Sequence, residues 1–342
     1  MNIWQKSSIP KFSPQTKRNA AAVFFPLLAV AAFCAALFFG AAEASVASAF
    51  RALFAGDATV TDFKIVFYIR LPRALGAFLA GAALATAGII IQSVLNNPLA
   101  APNLIGVNAG AGFFVILVMA VLRDFLLFLP LAAFVGALLT ALLIYAISAL
   151  TGAGKVTVTL VGVAVGSILT AGINTIKTLF PDSVYDVSGF LIGGLSSASM
   201  SAVLPAGIMI APALLAAWLF SARLDVLSLG TEVAGGLGIR VTRARLAWLM
   251  LAAVLAGAAV SFAGLIGFVG LIVPHVMRKF VGNVHRHLIP ISVFGGGAFL
   301  LIADLLSRTL FAPYELPVGI LLSLAGGPFF ILLLLAERRS AR

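Results

Sequence analysis

Charged residues are rare along this chain, and the stretches that separate them are long and apolar. No Lys, Arg, Asp or Glu occurs in residues 19–42, 74–122, 125–154, 187–222 or 246–277. A helix needs about 20 apolar residues to cross the roughly 30 Å hydrocarbon core of a bilayer. The apolar positions run continuously and do not alternate with polar ones, so the pattern predicts transmembrane helices and excludes the strands of a barrel.

The number of spans depends on two long stretches. Residues 74–122 are long enough for two crossings, with a break at Asn96-Asn97-Pro98. Residues 246–277 could form one long span with a re-entrant piece, or two helices that meet near Gly264-Leu265-Ile266-Gly267. If both chain ends lie on the same side of the membrane, the count is even, which favours two helices here and ten in all. The other predicted spans lie at 19–42, 125–154, 156–176, about 202–221, 288–303 and 316–336.

The composition agrees with this pattern and narrows the class of protein. The chain has 342 residues, of which 62% are hydrophobic and 10% are charged, too few to cover the surface of a soluble protein. We therefore expect an all-α, polytopic membrane protein. A single transmembrane domain is predicted at 19–338, with tails at 1–18 and 339–342. The first apolar run is longer than a signal peptide requires and is interpreted as a retained helix.

The net charge of +11 is spread over short loops and the two ends of the chain. This distribution is typical of the positive-inside rule and predicts that both termini are cytoplasmic; it does not indicate a nucleic-acid partner. The single cysteine, Cys34, cannot form an intrachain disulfide. The three histidines have no metal-ligand spacing, so no metal site or other cofactor is expected.

Ionisable groups are almost absent from the centres of the predicted spans. Carriers driven by protons or sodium usually bind the coupling ion there, so the energy source is expected to lie outside the chain. The segment Gly152-Ala153-Gly154-Lys155 lacks the other residues of a phosphate-binding loop, and no enzyme activity is predicted. An ion-coupled secondary carrier and a structural membrane subunit remain alternatives.

Three segments carry longer motifs. The first contains Arg70-Leu71-Pro72-Arg73, then G-A-A-L-A-T-A-G and N-P-L-A-A-P-N-L-I-G, and ends at Gly110-Ala111. The second is L-S-L-G-T-E-V-A-G-G-L-G-I-R-V-T-R-A-R at 227–245. The third begins G-L-I-G-F-V-G-L-I-V-P-H-V-M-R at Gly264 and continues through E-L-P-V-G to G-G-P-F-F. Together they resemble, in order and spacing, the permease family of ATP-driven (ABC) importers for iron-siderophores, haem and vitamin B12.

The resemblance implies a ten-helix permease of the cytoplasmic membrane that works as a dimer of two copies or of paralogues. It also implies two cytoplasmic subunits that bind ATP and an external substrate-binding protein. The expected substrate is an iron chelate, with haem or cobalamin as the alternative. The two permease copies would enclose one path, and the loop at 223–245 would couple ATP hydrolysis to the movement of the helices.

Residues that match the family motifs receive the family's roles as expectations. Arg70, Arg73 and Arg308 would form an exposed surface that receives glutamates of the binding protein, with interfacial anchoring or local pairs with Asp62 or Asp304 as alternatives. The ATPase contact would involve Leu229, Gly230, Glu232, Ala234 and Gly238. A structural role is expected for Asn97, Pro98, Gly106, Pro274, His275, Arg278, Asp304, Glu315, Pro317, Gly319 and Pro328. The gate or path is expected near Lys155, Thr157, Thr159 and Asn174.

Overall fold

The computed structural model describes residues 14–41, 43–57, 59–102, 106–122, 128–150, 155–181 and 187–340. Within these ranges the regular structure is helical, and the predicted all-α class is confirmed. In chain order the helices are α1 (Pro14–Phe38), α2 (Val46–Ala55), α3 (Thr61–Lys64), a π-helical segment (Ile65–Arg70), α4 (Leu71–Val94), α5 (Val107–Val121), α6 (Leu129–Leu150), α7 (Lys155–Leu179), α8 (Val187–Ile192), α9 (Met200–Leu219), α10 (Ser221–Ser228), α11 (Thr231–Gly236), α12 (Val241–Ala263), α13 (Val269–Val281), α14 (His285–Thr309) and α15 (Val318–Ser340).

Seven of the helical stretches are long and apolar enough to cross a membrane: α1, α3–α4, α6, α7, α9, α12 and α14. The remaining predicted spans correspond to α5, α13 and α15, so each of the ten has a helix in the structure. Helix α13 has 13 residues, a rise of about 20 Å, and therefore does not cover the full hydrocarbon thickness by itself.

Helix α4 lies at the centre of the bundle and packs against α12, α13 and α14. Two glycine pairs permit the closest approaches, because a β-carbon on Gly81 would overlap the Gly296 carbonyl of α14, and one on Gly88 would overlap the Gly270 carbonyl of α13. Small residues at such crossings let backbones pack by dispersion where lipid removes the hydrophobic driving force. The small-residue run of the first motif therefore specifies the packing of α4.

The long apolar stretch at 246–277 forms two helices, as the even count predicted. Helix α12 ends at Gly264, whose φ of +68° favours glycine, and α13 begins after Phe268. The broken backbone is satisfied by its neighbours: the Leu265 amide donates to the Phe190 carbonyl at 2.9 Å, and the Gly194 amide donates to the Ala263 carbonyl at 3.0 Å. Irregular backbone inside a membrane protein is stable only with such partners.

Helix α14 defines the two ends of the bundle. It runs antiparallel to α4, since Arg73 bonds to Asp304 near one end and Ser93 lies 2.6 Å from His285 at the other. It runs parallel to α1, because Arg308 reaches the C-terminus of α1. We call the end that holds Arg73 and Arg308 the arginine end, and the end that holds His285, α10 and α11 the loop end.

Candidate functional site

Three arginines of the motifs meet at the arginine end, but they are buried. Arg70, Arg73 and Arg308 are only 3%, 6% and 3% exposed, so the expectation of an exposed arginine surface is wrong. Arg73 donates through Nε to both carboxylate oxygens of Asp304 at 3.0 Å and through Nη1 to Glu315 at 2.7 Å. The local pair with Asp304, one of the alternatives from the sequence, is therefore present.

The other two arginines bond to the backbone carbonyls at the C-terminus of α1. Arg308 Nη2 donates to the Ala36 carbonyl at 2.8 Å, and Arg70 Nη1 donates to the Leu37 and Phe38 carbonyls at 2.8 and 2.9 Å. The last carbonyls of a helix have no partner within it, and a cation there also interacts favourably with the helix dipole. A role of these arginines in docking a binding protein stays a prediction.

At the loop end, residues 223–245 form short helices joined by a sharp turn. Helix α10 ends before Gly230, which adopts φ of 112° and ψ of 166°, and α11 follows directly. A second turn at Gly238 has φ of +81°. Side chains with a β-carbon rarely adopt either conformation, which explains why glycine occupies both positions.

This loop carries large apolar side chains that nothing in the described chain covers. Leu229, Val233 and Leu237 are 62%, 48% and 63% exposed and follow one another at intervals of four residues. Glu232 is exposed beside them, whereas Ala234 is fully buried and fixes α11 to the bundle. A stripe of this kind on a polar loop marks a contact surface.

The loop is anchored to the bundle through a histidine that the sequence did not single out. Asp225 of α10 accepts from the His285 amide at 3.0 Å and lies 2.6 Å from His285 Nδ1, while His285 Nε2 lies 2.6 Å from Ser93 Oγ of α4. Three helices thus meet at one buried imidazole. These positions are separated by up to 192 residues, so no local spacing could reveal them.

Helix α7 directs several polar side chains away from the rest of the chain, among exposed apolar ones such as Leu160, Val163 and Ile168. Asn174, Thr175, Ser167 and Thr170 are exposed, and each of the hydroxyl groups donates to the carbonyl four residues earlier. Of the predicted gate residues, Thr157 is half-buried near the start of α7. The side chains of Lys155 and Thr159 lie outside the described residues, although their backbone belongs to α7.

A hydroxyl-lined cavity of about 460 Å³ lies between α9 and the end of α12. Serines 196, 197, 199, 201 and 261 contribute to its wall. Phe262, which also lines it, approaches Gly76 near the start of α4, and this contact places the cavity toward the arginine end. The cavity offers hydrogen bonds without any fixed charge from its lining.

The remaining motif residues shape turns and helix contacts. Asn97 accepts from the Leu99 amide at 3.0 Å in the turn after α4, where Pro98 is exposed, and Gly106 starts α5 with φ of +67°. Pro274 and Pro328 lie within α13 and α15, and Pro317 precedes α15. Gly319 approaches the Ile192 carbonyl too closely for a β-carbon. His275 contacts Phe329 edge-on at 6.0 Å, and Arg278 bonds to Gln92.

No group of three or more His, Cys, Asp or Glu side chains that could hold a metal ion is present in the part of the chain that the structure describes. The only buried acidic side chain among the described residues, Asp304, is engaged by arginines.

Comparisons with known proteins show which family this chain is similar to. Residues 27–336 match the model of the FecCD transport family. The hemin transport system permease protein HmuU of Yersinia pestis is 39% identical over 84% of this chain and 88% of its own length. The Fe(3+)-citrate import system permease protein YfmE of Bacillus subtilis is 37% identical over 83% of this chain and 88% of its own.

Solved structures agree with these relatives. A metal-chelate type ABC transporter in an inward-facing conformation superposes with a TM-score of 0.82 at 25% identity, covering 93% of this chain and 99% of the other. The resemblance inferred from the three motifs is confirmed.

Proposed function

Because the chain belongs to the FecCD transport family, we propose that it is the membrane permease of an ABC importer that moves a ferric siderophore across the cytoplasmic membrane. Relatives with 37% identity are named for import of ferric citrate and ferric hydroxamate, which supports an iron chelate as substrate. The permease itself is not an enzyme in this proposal, since a separate subunit binds and hydrolyses ATP.

The observation that carries the proposal is the group of exposed polar side chains on α7. Ser167, Thr170, Asn174 and Thr175 are exposed on a helix that is long and apolar enough to span the membrane. The hydroxyl groups are satisfied within the helix, but the Asn174 amide is unfavourable against lipid, so this side of α7 is expected to meet a second copy or a paralogue and line a path between them. Hydroxyl and amide groups would contact a bulky chelate through weak, uncharged bonds that allow release.

The loop end supports coupling to an ATPase. The exposed Leu229, Val233 and Leu237 would enter a cleft of the ATPase, and one subunit would bind under each permease copy. Movement of α10 and α11 would reach the bundle through Asp225, which bonds to His285, and then through His285, which lies within hydrogen-bond distance of Ser93 of α4. A rigid-body shift at the loop would therefore tilt the central helices, a two-state gating mechanism.

The arginine end supports contact with an external binding protein. Glu315 is the most accessible member of the cluster, with a side chain 36% exposed against 7% for Arg73. A glutamate of the binding protein could therefore replace Glu315 on Arg73 without disturbing the buried Asp304. In this arrangement the loop end, the basic N-terminus and the C-terminal tail are cytoplasmic, in agreement with the positive-inside rule.

Haem is the second candidate substrate, because the relative named for hemin transport is 39% identical to this chain. Cobalamin remains a third possibility on the family resemblance alone.

Uptake by proteoliposomes would test the function. The vesicles would contain the permease with its ATPase, and the cognate binding protein would be supplied with radiolabelled ferric siderophore, haem or cobalamin. We expect siderophore uptake that requires ATP, and Asn174→Leu should reduce it while ATPase assembly is retained. Uptake that was independent of ATP and followed a proton gradient would contradict the assignment as an ABC importer. A preference for haem would change the proposed substrate and leave that assignment in place.

A further inference from the structure

A polar pocket of about 500 Å³ lies at the loop end, between the end of α4, the last turns of α13 and the turn before α14. Its lining includes Asn97, Arg278, Lys279, Asn283 and His285, and no lining residue is acidic. The pocket therefore offers donors and positive charge. Ser93 and His285 also belong to the link between the loop and α4, but none of the roles proposed above fills the space of the pocket itself.

Arg278 is the most unusual member of this pocket. Its Nη1 donates to Gln92 Oε1 at 2.5 Å, and the Gln92 amide is fixed in turn by its bond to the Gly270 carbonyl at 3.2 Å. No carboxylate of the described residues lies within ion-pair distance of Arg278. The nearby Asp225 is bonded to His285. A guanidinium sheltered from water is stabilised by an anion, and this chain supplies none among the residues described.

A second cavity, of about 540 Å³, lies between α1 and α13 and is apolar. Phe24 and Phe25 of α1 contact each other edge-on at 5.2 Å, and Phe25 contacts Phe280 of α13 in the same way at 5.5 Å. Ala20 and Ala21 leave room beside the rings. We call this cavity the apolar groove. Aromatic rings form much of its wall, it opens on the surface that lies in the membrane, and Lys17 and Lys279 are among its lining residues.

Lys279 belongs to the lining of both cavities, so the polar pocket and the apolar groove are adjacent. We propose that together they bind one acidic phospholipid. Its phosphate lies in the polar pocket and bonds to Arg278 and Lys279, and one acyl chain fills the groove beside Phe25 and Phe280. Lys17, which also lines the groove, adds a third positive charge at the level of the headgroups.

The observations favour a lipid over other anions. Basic pockets between helices near the membrane surface are suited to lipid phosphates, which also make charge-assisted bonds to guanidinium and ammonium groups. A free phosphate ion would satisfy Arg278 but leave the apolar groove empty. A carboxylate from a protein partner would do the same. Only a molecule that joins an anionic headgroup to a hydrocarbon chain uses both cavities, as an acidic phospholipid does.

Native mass spectrometry of the full chain, purified in detergent and titrated with phosphatidylglycerol or phosphatidylcholine, would test the proposal. We expect one phosphatidylglycerol to bind with an affinity at least about fivefold higher than phosphatidylcholine, which follows from the attraction that one lysine exerts on an anionic lipid. Lys279→Gln should lower that affinity by about fivefold, and Lys17→Gln should lower it less. Both lysines are exposed, so neither change should impair folding.

Arg286→Gln is the matched control, since Arg286 is exposed at the same end but lines neither cavity. It should leave the affinity unchanged; an equal loss would show general surface attraction and overturn the proposal. Ala20→Trp, which fills the groove, should weaken phosphatidylglycerol binding. The proposal would also be overturned if both lipids bound equally well, or if Lys279→Gln left the affinity for phosphatidylglycerol unchanged.

Inorganic phosphate separates the two sources of the anion. Phosphate at about 10 mM, which would occupy a weak anion site, can be tested for protection of the chain against thermal unfolding. If it protected the wild-type chain but not Lys279→Gln, and if lipid binding showed no headgroup preference, the site would be one for free phosphate. The lipid assignment would then be wrong.

Discussion

The arginine end and the loop end of the bundle treat their charges in opposite ways. At the arginine end, Arg73 and Arg308 lie against Asp304, and Arg73 also bonds to Glu315, so positive and negative groups are paired within the chain. At the loop end, Arg278 has a neutral amide as its partner, and the pocket around it contains no acidic residue. Both ends contain motif residues, yet only the arginine end brings two carboxylates against its buried arginines.

This difference separates a structural role from a binding role. Buried charges that find their partners inside the chain hold helices in register, here α4 against α14 and the start of α15. Charges and apolar side chains that find none are available to other molecules. The loop end has a charge of this kind in Arg278 and apolar side chains of this kind in the exposed stripe of Leu229, Val233 and Leu237.

Removing Asp304 should have the largest effect, because it leaves two buried guanidinium groups without their shared carboxylate. Breaking a buried ion pair on one side costs about 3–5 kcal/mol. We expect Asp304→Ala to reduce thermal stability in detergent strongly and to lower the yield of folded protein. Asp57→Ala is the matched control, since Asp57 is exposed and, among the described residues, its carboxylate accepts only from Thr59 within its own loop. Equal melting temperatures for the two variants would mean that the cluster does not stabilise the fold.

Placing a charge on the exposed stripe should affect a partner and leave the chain itself intact. Leu237 is 63% exposed, so Leu237→Asp removes little buried area from the free permease. If the side chain enters an ATPase cleft, losing its burial costs about 1.5–3 kcal/mol, or tenfold or more in affinity. Binding of purified ATPase to the permease in nanodiscs would measure this.

The same substitution at the opposite end provides the control for that measurement. Leu310 is 58% exposed at the arginine end, and Leu310→Asp should leave ATPase affinity unchanged. A loss of ATPase binding in both variants, or in neither, would refute the assignment of the stripe.

Cutting the link between the loop and the bundle should affect coupling more than binding. Asp225→Asn removes the carboxylate that fixes His285 but leaves the exposed stripe unchanged, and the lost bond is worth about 1 kcal/mol. We expect normal ATPase affinity but fewer substrate molecules imported for each ATP hydrolysed. Arg223→Ala, on the exposed side of α10, should keep the normal ratio. An unchanged ratio in Asp225→Asn would exclude the histidine link from coupling.

The sequence predicted the positions of the helices better than it predicted which side chains are buried and which of them pair. Charge gaps located all ten helices, and the even count correctly divided residues 246–277, because span length is a local property of the chain. Burial of Arg70, Arg73 and Arg308 was missed, since arginines at the end of a span look alike whether or not they find carboxylates. Asp304 and Glu315 are distant in sequence from Arg73. The Asp225–His285–Ser93 link was missed for the same reason.

Weakening the arginine cluster at its accessible edge should produce the smallest change in stability and the sharpest test of docking. Glu315 is partly exposed, so Glu315→Gln should cost no more than about 1 kcal/mol, the range of accessible ion pairs. The same change frees Arg73 Nη1 for an acidic partner. If the binding protein docks by replacing Glu315, its affinity for the permease should rise by a few-fold, measurable by surface plasmon resonance on nanodiscs. Glu43→Gln, which removes one negative charge from the segment after α1, should change the affinity less. A fall in affinity for Glu315→Gln would mean that Glu315 itself is the contact and that Arg73 serves only the fold.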